Sequence, residues 1–349
     1  MFNFLHSSKS CIGLDIGSHT VKAVQLIKKG ASVPHVTSMG MAEIDTNIEQ
    51  SGESTVSAVK SVLKDCDFQK TRLVTSLGGG LIIIKQTSLP ISSHKEIEAY
   101  LKWEGSQYIT LPMDSVVIKF QPRYLSSDKK STEVLLVAAD KNLFENHINF
   151  LSQIQLKPEV VDVNPLALAN AYLALNPDNE DRNIVMLEVG AATTILNIFR
   201  KGGFFFTRDL SIAGNKFTLE VQNSRKVDSF LPELSIDDID FYQAEIHKRE
   251  ETLDLDIIKA VLNKLLLEIR QSLLFYDNKT GGRGFKEIIL TGGGANLPGL
   301  SSFLSENLSI PITYFNPLEY VQIDNKIADD DLINKGTQFA IAVGLALRG

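Results

Sequence analysis

The pattern of apolar and polar residues near the start of the chain predicts a β-hairpin. Ile12, Leu14 and Ile16 form a buried strand, and the apolar run at residues 21–26 forms its partner. The sequence Gly-Ser-His-Thr at residues 17–20 joins them in a tight turn of small and hydroxyl-bearing residues. A strand–turn–strand unit therefore opens the fold.

The same pattern recurs in the second half of the chain, where residues 185–203 align with residues 12–30. The aligned pairs are Leu14 with Leu187, Asp15 with Glu188, Gly17 with Gly190, and Thr20 with Thr193. Each copy has an apolar strand, an acid, a glycine turn, a second strand and a basic residue before glycine. Two hairpins can be similar by chance, but the matched acid and glycine favour a duplication and hence two similar lobes.

Further strands and helices follow each hairpin. The first half predicts strands at residues 73–76 and 81–88 and a helix at residues 164–175. The second half predicts a long helix at residues 254–276, with an apolar stripe made of Ile257, Ile258, Val261, Leu262, Leu265, Leu266, Ile269 and Leu273. Such a stripe faces a core, and we assign it no chemistry.

A strand, a glycine-rich loop and a helix are predicted at residues 285–308. The strand is at residues 288–290, the loop contains Gly292, Gly293 and Gly294, and the helix is at residues 300–308. Such a loop lets a ligand approach the backbone at a helix N-terminus, although many α/β proteins have similar turns. A helix rich in alanine and glycine closes the chain at residues 336–349.

Residues 90 to about 158 have a pattern different from that of the two lobes, and it predicts helices at 95–108 and 142–154 and strands at 116–124 and 133–138. It predicts a small α+β domain inserted into the first lobe. We expect a first lobe of residues 1–89, 159–183 and 336–349, an insertion of residues 90–158, a second lobe of residues 184–213 and 255–335, and a small subdomain of residues 214–254. The acidic run at residues 237–240 is more typical of a solvated helix start than of a metal site.

Composition narrows the class of protein. The chain has 349 residues, 44% hydrophobic and 22% charged, with a net charge of −7 and no dense basic stripe, which argues against a nucleic-acid surface. Its two cysteines support neither a disulfide framework nor a zinc cluster, and its six histidines show no ligand spacing. No apolar run approaches the roughly 20 residues of a membrane span. These features predict a cytosolic protein.

The first turn has the chemistry of a phosphate site. Its backbone amides and the hydroxyls of Ser18 and Thr20 can donate hydrogen bonds to phosphate oxygens. Asp15 could hold Mg²⁺ through water, and Lys22 could reach the phosphates. The alternative is an ordinary hairpin in which the acid only caps a turn.

Two duplicated lobes, two phosphate turns and a third glycine-rich loop resemble the actin-like ATPase superfamily. Within it, the sequence is similar to the type IV pilus assembly protein PilM family over nearly the whole chain. The motifs that carry this resemblance are GLDIGSHTVKAVQL (13–26), YLKWEGSQYITLPMDSVVIKFQ (100–121), VVDVNPLALANAY (160–172), EIRQSLLFYDN (268–278), LTGGGANLPGL (290–300) and FAIAVGLALR (339–348). The implied fold is α/β, a two-lobed actin-like ATPase fold of duplicated ribonuclease-H-like lobes with an inserted α+β domain.

The resemblance implies ATP or ADP with Mg²⁺ in the cleft between the lobes. The implied residues are Asp15 and Glu188 for the metal, Gly17, Ser18, His19, Thr20 and Lys22 for one side of the phosphates, Gly190, Ala191 and Thr193 for the other, and Gly292, Gly293 and Gly294 for the adenosine. Glu245 and Lys248 are similar to the family's Ala-Glu-x-x-Lys element near the ribose and base. For these two residues a surface helix pair is an equal alternative.

Two residues depart from the superfamily pattern. Glu188 occupies a position that is usually Asp, and its extra methylene moves the carboxylate by roughly 1.5 Å. Asn164 occupies the position where Gln or Glu orients the attacking water in actin and Hsp70-type relatives. Asn is shorter and cannot act as a base. We therefore expect nucleotide binding with slow or absent hydrolysis.

The resemblance implies a cytoplasmic scaffold at the inner face of the inner membrane. Its partner would be the cytoplasmic N-terminal segment of a PilN-like membrane protein, bound between the first lobe and the insertion, with the nucleotide setting lobe closure. It also places Trp103 as an anchor in the core of the insertion.

Two other functions stay open. A kinase or phosphatase of the superfamily needs a positioned base, for which Asp162 is the nearest candidate. A filament protein like FtsA is the other, although the sequence given stops at Arg348-Gly349 without FtsA's membrane-binding helix.

Overall fold

The structure is a computed structural model that describes residues 9–28, 32–45, 51–67, 71–91, 93–125, 131–176, 183–200, 203–227, 255–280, 284–324, 327 and 330–348. The strands are β1 (Lys9–Ile16), β2 (Thr20–Lys28), β3 (His35–Glu43), β4 (Thr71–Leu77), β5 (Ile82–Leu89), β6 (Val116–Leu125), β7 (Thr132–Asp140), β8 (Val160–Val163), β9 (Ile184–Val189), β10 (Thr194–Arg200), β11 (Gly203–Leu210), β12 (Glu287–Thr291), β13 (Ile312–Tyr314) and β14 (Gln322–Ile323). The helices are α1 (Ser51–Leu63), α2 (His94–Glu104), α3 (Lys141–Gln153), α4 (Asn164–Leu175), α5 (Gly214–Val227), α6 (Leu255–Thr280), α7 (Leu300–Leu308), α8 (Asp330–Asn334) and α9 (Ala340–Ala346). No helix in these ranges is long and apolar enough to cross a membrane.

The first sheet has six strands in the order β14-β3-β2-β1-β4-β8. β1 and β2 form the predicted antiparallel hairpin, in which Asp15 is the register partner of Lys22. The hairpin is held in place because Ile12 and Leu14 are buried in one cluster with Val59 of α1. β1, β4 and β8 run parallel, so their carboxyl ends lie at the same edge of the sheet, where open α/β sheets bind ligands.

The second sheet, ordered β11-β10-β9-β12-β13, repeats this arrangement. β9 pairs antiparallel with β10 and parallel with β12, as β1 does with β2 and β4. The two turns also close alike. The Gly17 N–H donates to the Thr20 carbonyl at 3.0 Å, and the Gly190 N–H donates to the Thr193 carbonyl at 3.1 Å. The duplication predicted from the sequence is therefore confirmed.

A buried apolar core is shared by the two lobes. Helices α4 and α9 contact each other and pack with residues of both sheets. Residues of this shared core include Cys11, Val74, Ala167, Leu168, Tyr172, Met186, Phe199, Ile341 and Leu345. A polar contact also crosses this shared core. The buried Asn197 Nδ2 of β10 donates a hydrogen bond to the Pro165 carbonyl of α4 at 2.8 Å. This shared core therefore joins the two lobes, away from the carboxyl ends of their parallel strands.

The long helix α6 covers the second lobe. Its predicted apolar stripe is confirmed from residue 258 to residue 273, where Val261, Leu265 and Ile269 are buried against Val185 and Leu290 of the sheet. The side chain of Ile257 lies outside the described part of the chain. The helices predicted at residues 164–175 and 300–308 have the bounds of α4 and α7.

A third sheet, ordered β5-β7-β6, forms with α2 the small α+β unit predicted for the insertion. This sheet begins at Ile82, earlier than residue 90, where the insertion is expected to start. β14 likewise joins the first sheet, although its residues are expected in the second lobe. The expected boundaries thus remain predictions, and strand pairing favours an insertion that includes β5.

The expectation for Trp103 is wrong. Its side chain is 85% exposed, and the core of the insertion is formed instead by Leu89, Ile97, Leu101 and Val134. Ile97 and Leu101 lie four residues apart on one face of α2, whereas Trp103 lies two residues further, on the far side of the helix.

Candidate functional site

The candidate site lies where strands from both lobes end. β1 and β9 lead into the two turns at residues 17–20 and 190–193. β8 ends one residue before Asn164, and β12 ends one residue before Gly292. Because parallel strands share the direction of their carboxyl ends, each sheet presents these segments together at one edge.

On the first lobe, Asp15 and Lys22 form the charged part of the site. Asp15 is only 4% exposed, and Lys22 Nζ lies 3.9 Å from Asp15 Oδ2. Burial raises the pKa of the Asp15 carboxyl above its ordinary value, and the Lys22 ammonium opposes that rise. A carboxylate removed from water with one cation nearby is poised to accept a further cation.

On the second lobe, Glu188 faces this pair. Burial raises the pKa of Glu188 to about 8; the Lys22 charge opposes the rise, and Asp15 and Asp209 add to it. The acids matched by the duplication are therefore within electrostatic reach of each other, with Lys22 acting on both. The structure brings together the three charged residues that the sequence predicted.

The loop after β12 lies directly against Glu188. Gly292 has a φ of +89°, and a Cβ at this position would lie 2.7 Å from Glu188 Oε1 and 2.6 Å from the Val189 carbonyl oxygen. The Gly292 N–H donates to the Thr337 carbonyl at 3.0 Å, and Thr291 Oγ1 donates to the same carbonyl at 2.9 Å. Only glycine fits this backbone conformation and close approach.

Backbone contacts make both turns rigid. At the second turn, the N–H groups of Gly214 and Asn215 at the start of α5 donate to the carbonyls of Gly190 and Ala191, at 2.9 and 2.8 Å. At the first turn, the Ile44 N–H donates to the His19 carbonyl at 2.7 Å. With these carbonyls engaged, each turn has a fixed shape before any ligand arrives.

The side chains of the first turn are more accessible than the acids. Ser18 is exposed, and its Oγ lies 3.2 Å from His19 Nδ1. Partial burial lowers the pKa of His19, which favours a neutral imidazole at neutral pH. A hydroxyl and a neutral ring beside backbone amides suit the oxygens of a phosphate.

Asn164 begins α4 at the edge of the first sheet and is partly exposed. Gly78, which follows β4, lies against its amide: a Cβ on Gly78 would be 2.5 Å from Asn164 Nδ2. Gly78 was not among the residues predicted from the sequence, although a run of three glycines soon after the strand predicted at residues 73–76 was an available signal.

Asp209 on β11 was also missed. It is the register partner of Ile195, which is in turn the partner of Glu188, so the two acids lie in one row across the sheet. Burial raises the pKa of Asp209. The sequence of a single strand does not show which residues of the neighbouring strands are its register partners.

Asp162, the candidate base of the kinase alternative, is engaged elsewhere. It is buried, and its Oδ2 lies 2.9 Å from Nε of Arg348 near the end of the chain. Burial raises the pKa of this carboxyl, and the Arg348 charge and the Val163 N–H oppose the rise. An acid held in such a pair is poorly suited to accept a substrate proton.

The donor set fits a hydrated magnesium–phosphate group better than a protein-bound metal. Among the described residues, no three His, Cys, Asp or Glu side chains come together as a metal site. Asp15 is buried and Glu188 is partly buried; the two acids share one lysine, and the two turns flank them. Mg²⁺ usually keeps several waters and binds through one or two carboxylates plus phosphate oxygens. The expected ribose and base contacts, Glu245 and Lys248, lie outside the described residues.

The chain is similar in sequence to one protein family over most of its length and to several known proteins. A family model described as type IV pilus assembly protein PilM matches residues 13–349. Cell division protein FtsA of Borreliella burgdorferi is 21% identical over 96% of this chain and 90% of its own length. FtsA of Bacillus subtilis is 20% identical over 90% of this chain and 80% of its own length.

Solved structures share the fold. A PilM-PilN type IV pilus biogenesis complex superposes with a TM-score of 0.83 at 26% identity, covering 98% of this chain and 99% of the matched chain. Ethanolamine utilization protein EutJ from Carboxydothermus hydrogenoformans gives a TM-score of 0.54 at 14% identity, covering 100% and 93%. The expected two-lobed actin-like ATPase fold is confirmed.

Proposed function

The chain belongs to the type IV pilus assembly protein PilM family, and from this premise we propose that it is an ATP-binding scaffold of a pilus assembly platform. The observation that carries the proposal is the approach of Asp15 and Glu188, one acid from each lobe, around Lys22. The phosphates of a nucleotide bound here with Mg²⁺ would contact both lobes at once.

The nucleotide would be held by residues from both lobes. The turns at residues 17–20 and 190–193 donate backbone N–H groups to its phosphates, and Lys22 contributes a positive charge. Asp15 and Glu188 would hold Mg²⁺ through water, and the ion would neutralise phosphate charge. The loop of Gly292, Gly293 and Gly294 would lie against the adenosine. Glu245 and Lys248 remain predictions for the ribose and base.

Hydrolysis is proposed to be slow or absent. Asn164 can orient a water through its amide but cannot accept a proton from it. Asp162, the acid on β8 two residues before Asn164, is paired with Arg348. Binding without rapid turnover suits a scaffold whose state is set by occupancy.

We propose a PilN-like inner-membrane protein as the partner, bound through its cytoplasmic N-terminal segment. The support is the similarity to the PilM-PilN complex over nearly the full length of both chains. The segment would lie between the first lobe and the insertion, and the protein would be peripheral at the cytoplasmic face of the inner membrane through this partner. The nucleotide sets lobe closure, because a ligand favours the conformation that it binds better.

A peptide titration tests this proposal. A synthetic N-terminal segment of a PilN-like protein is titrated into the protein alone, with Mg-ADP and with Mg-ATP, and a scrambled peptide serves as the control. We expect binding of the native segment only, with an affinity that depends on the nucleotide. Equal binding of both peptides, or equal affinity in all three states, contradicts the proposed coupling.

Self-association is a second candidate, favoured by the likeness to FtsA over most of the chain. Sedimentation velocity with and without Mg-ATP tests it. Assembly that depends on concentration and nucleotide supports it, and a monomer under all conditions contradicts it.

A further inference from the structure

Gly78 occupies a defined place at the ligand edge of the first sheet. It directly follows β4, and Asn164 directly follows the neighbouring strand β8. The last residues of these strands, Leu77 and Val163, are register partners. Gly78 and Asn164 therefore leave the sheet side by side.

The contact between these two residues is unusually close. A Cβ on Gly78 would lie 2.5 Å from Asn164 Nδ2, 3.2 Å from its Cγ and 3.8 Å from its Oδ1, so its three nearest atoms all belong to the Asn164 amide. Real Cβ atoms do not approach other heavy atoms this closely, so any side chain at residue 78 displaces the Asn164 amide. The absence of a side chain at Gly78 is therefore what gives that amide its place.

The backbone of Asn164 cannot shift to relieve such a clash. The residue before it, Val163, ends a strand paired with β4. The residue after it, Pro165, has a fixed φ, and its carbonyl accepts the hydrogen bond from the buried Asn197 of the second lobe. With the backbone held on both sides, the strain falls on the side chain of Asn164.

We propose that Gly78 is a positioning residue, which sets where the Asn164 amide meets the terminal phosphate of the nucleotide or the water beside it. The inference rests on the proposed nucleotide function. It adds a residue outside the two phosphate turns and the adenosine loop, and it gives the glycine run after β4 a specific role.

The next glycines provide the control. A Cβ on Gly80 would meet no atom within 4 Å, and the same is true of Gly79, which has a φ of +100°. Gly80→Ala therefore makes the same chemical change in the same loop without the clash. Gly79→Ala is unsuitable, because its backbone conformation would be strained by any side chain.

The test compares wild type, Gly78→Ala, Gly80→Ala, Asn164→Ala and the double variant Gly78→Ala/Asn164→Ala. Calorimetry gives the affinity of each for Mg-ATP and Mg-ADP, and urea unfolding confirms that each is folded. We expect Gly78→Ala to weaken Mg-ATP by up to about tenfold, the effect of one misplaced hydrogen bond, while Mg-ADP changes less than about twofold. Gly80→Ala should match wild type, and the double variant should match Asn164→Ala.

Three results overturn the inference. These are equal behaviour of Gly78→Ala and Gly80→Ala, equal losses for Mg-ATP and Mg-ADP in Gly78→Ala, and additive effects in the double variant. A wild-type protein that binds neither nucleotide defeats the proposed function itself. Binding by wild type with any of the three results defeats only the role of Gly78.

Discussion

Lys22 Nζ lies 3.9 Å from Oδ2 of Asp15 and also acts electrostatically on Glu188 of the other lobe. One lysine thus lies close enough to act on two acids, the buried Asp15 and the partly buried Glu188, which occupy the same position in a duplicated hairpin. The arrangement leaves more negative than positive charge when both acids are ionised, and a cation bound with phosphate can balance it.

Asp15→Ala is expected to abolish Mg-ATP binding, because it removes the acid that holds the hydrated cation. Asp15→Asn keeps the size of the side chain and separates loss of charge from loss of shape. Glu145→Ala, which removes one member of the exposed pair with Lys141, is the control and should bind normally. Unchanged affinity of Asp15→Ala by calorimetry would defeat the site assignment.

The stability of the nucleotide-free protein should depend on Glu188. In the folded protein the pKa of the Glu188 carboxyl is about 8, so Glu188 stays protonated up to that pH, whereas an ordinary glutamate has a pKa of 4.5. The free energy of unfolding gained from this group is therefore fully present below about pH 4.5 and is lost as the pH rises through about 8. Its slope reaches about 1.4 kcal/mol per pH unit.

Glu188→Gln should flatten this dependence, because glutamine has no proton to lose. Urea unfolding of both proteins between pH 5 and pH 9 measures the difference. Identical slopes for the two proteins would show that Glu188 titrates normally in the folded state.

Asn164→Gln should raise the rate of phosphate release if the attacking water is only misplaced, since the longer amide reaches further from α4. Single-turnover release with Mg-ATP measures it, with Asn164→Ala as the companion that has no amide. No increase in the glutamine variant counts against the assignment of Asn164 as the water-orienting residue.

Gly292→Ala should destabilise the fold and weaken nucleotide binding. Its φ of +89° and ψ of 171° lie in a region that essentially only glycine adopts, at a cost to an L-residue of about 1–3 kcal/mol, and its Cβ would press on Glu188 and the Val189 carbonyl. Gly293→Ala is the matched control for stability, because the nearest neighbour of its Cβ is the flexible end of Gln338 at 3.3 Å. Equal unfolding midpoints for the two variants would contradict this account.

Local sequence patterns predicted the parts of the fold that depend on local chemistry. The hairpins, the buried stripe of α6 and the bounds of α4 follow from periodicity and turn residues. Strand partners do not, and so β5 and β14 joined sheets other than those expected. Trp103 was misplaced because the family resemblance implied a core anchor there, whereas the stripe of Ile97 and Leu101 decides which face of α2 is buried.

The charged residues of the site were predicted, but their contacts were not. Asp15, Lys22 and Glu188 lie in strands on either side of recognisable turns, so the sequence alone locates them. The contact of Gly78 with Asn164 and the row shared by Asp209 and Glu188 arise between separate strands. Only the register of the folded sheets brings these residues together.

Nucleotide binding without turnover is tested most directly by a calorimetric titration of the purified protein with Mg-ATP, with phosphate release followed in parallel over hours. We expect saturable binding with little or no phosphate released. Rapid release would contradict the role given to Asn164 and favour an enzyme. No binding at all would mean that residues 17–20 are only a hairpin turn.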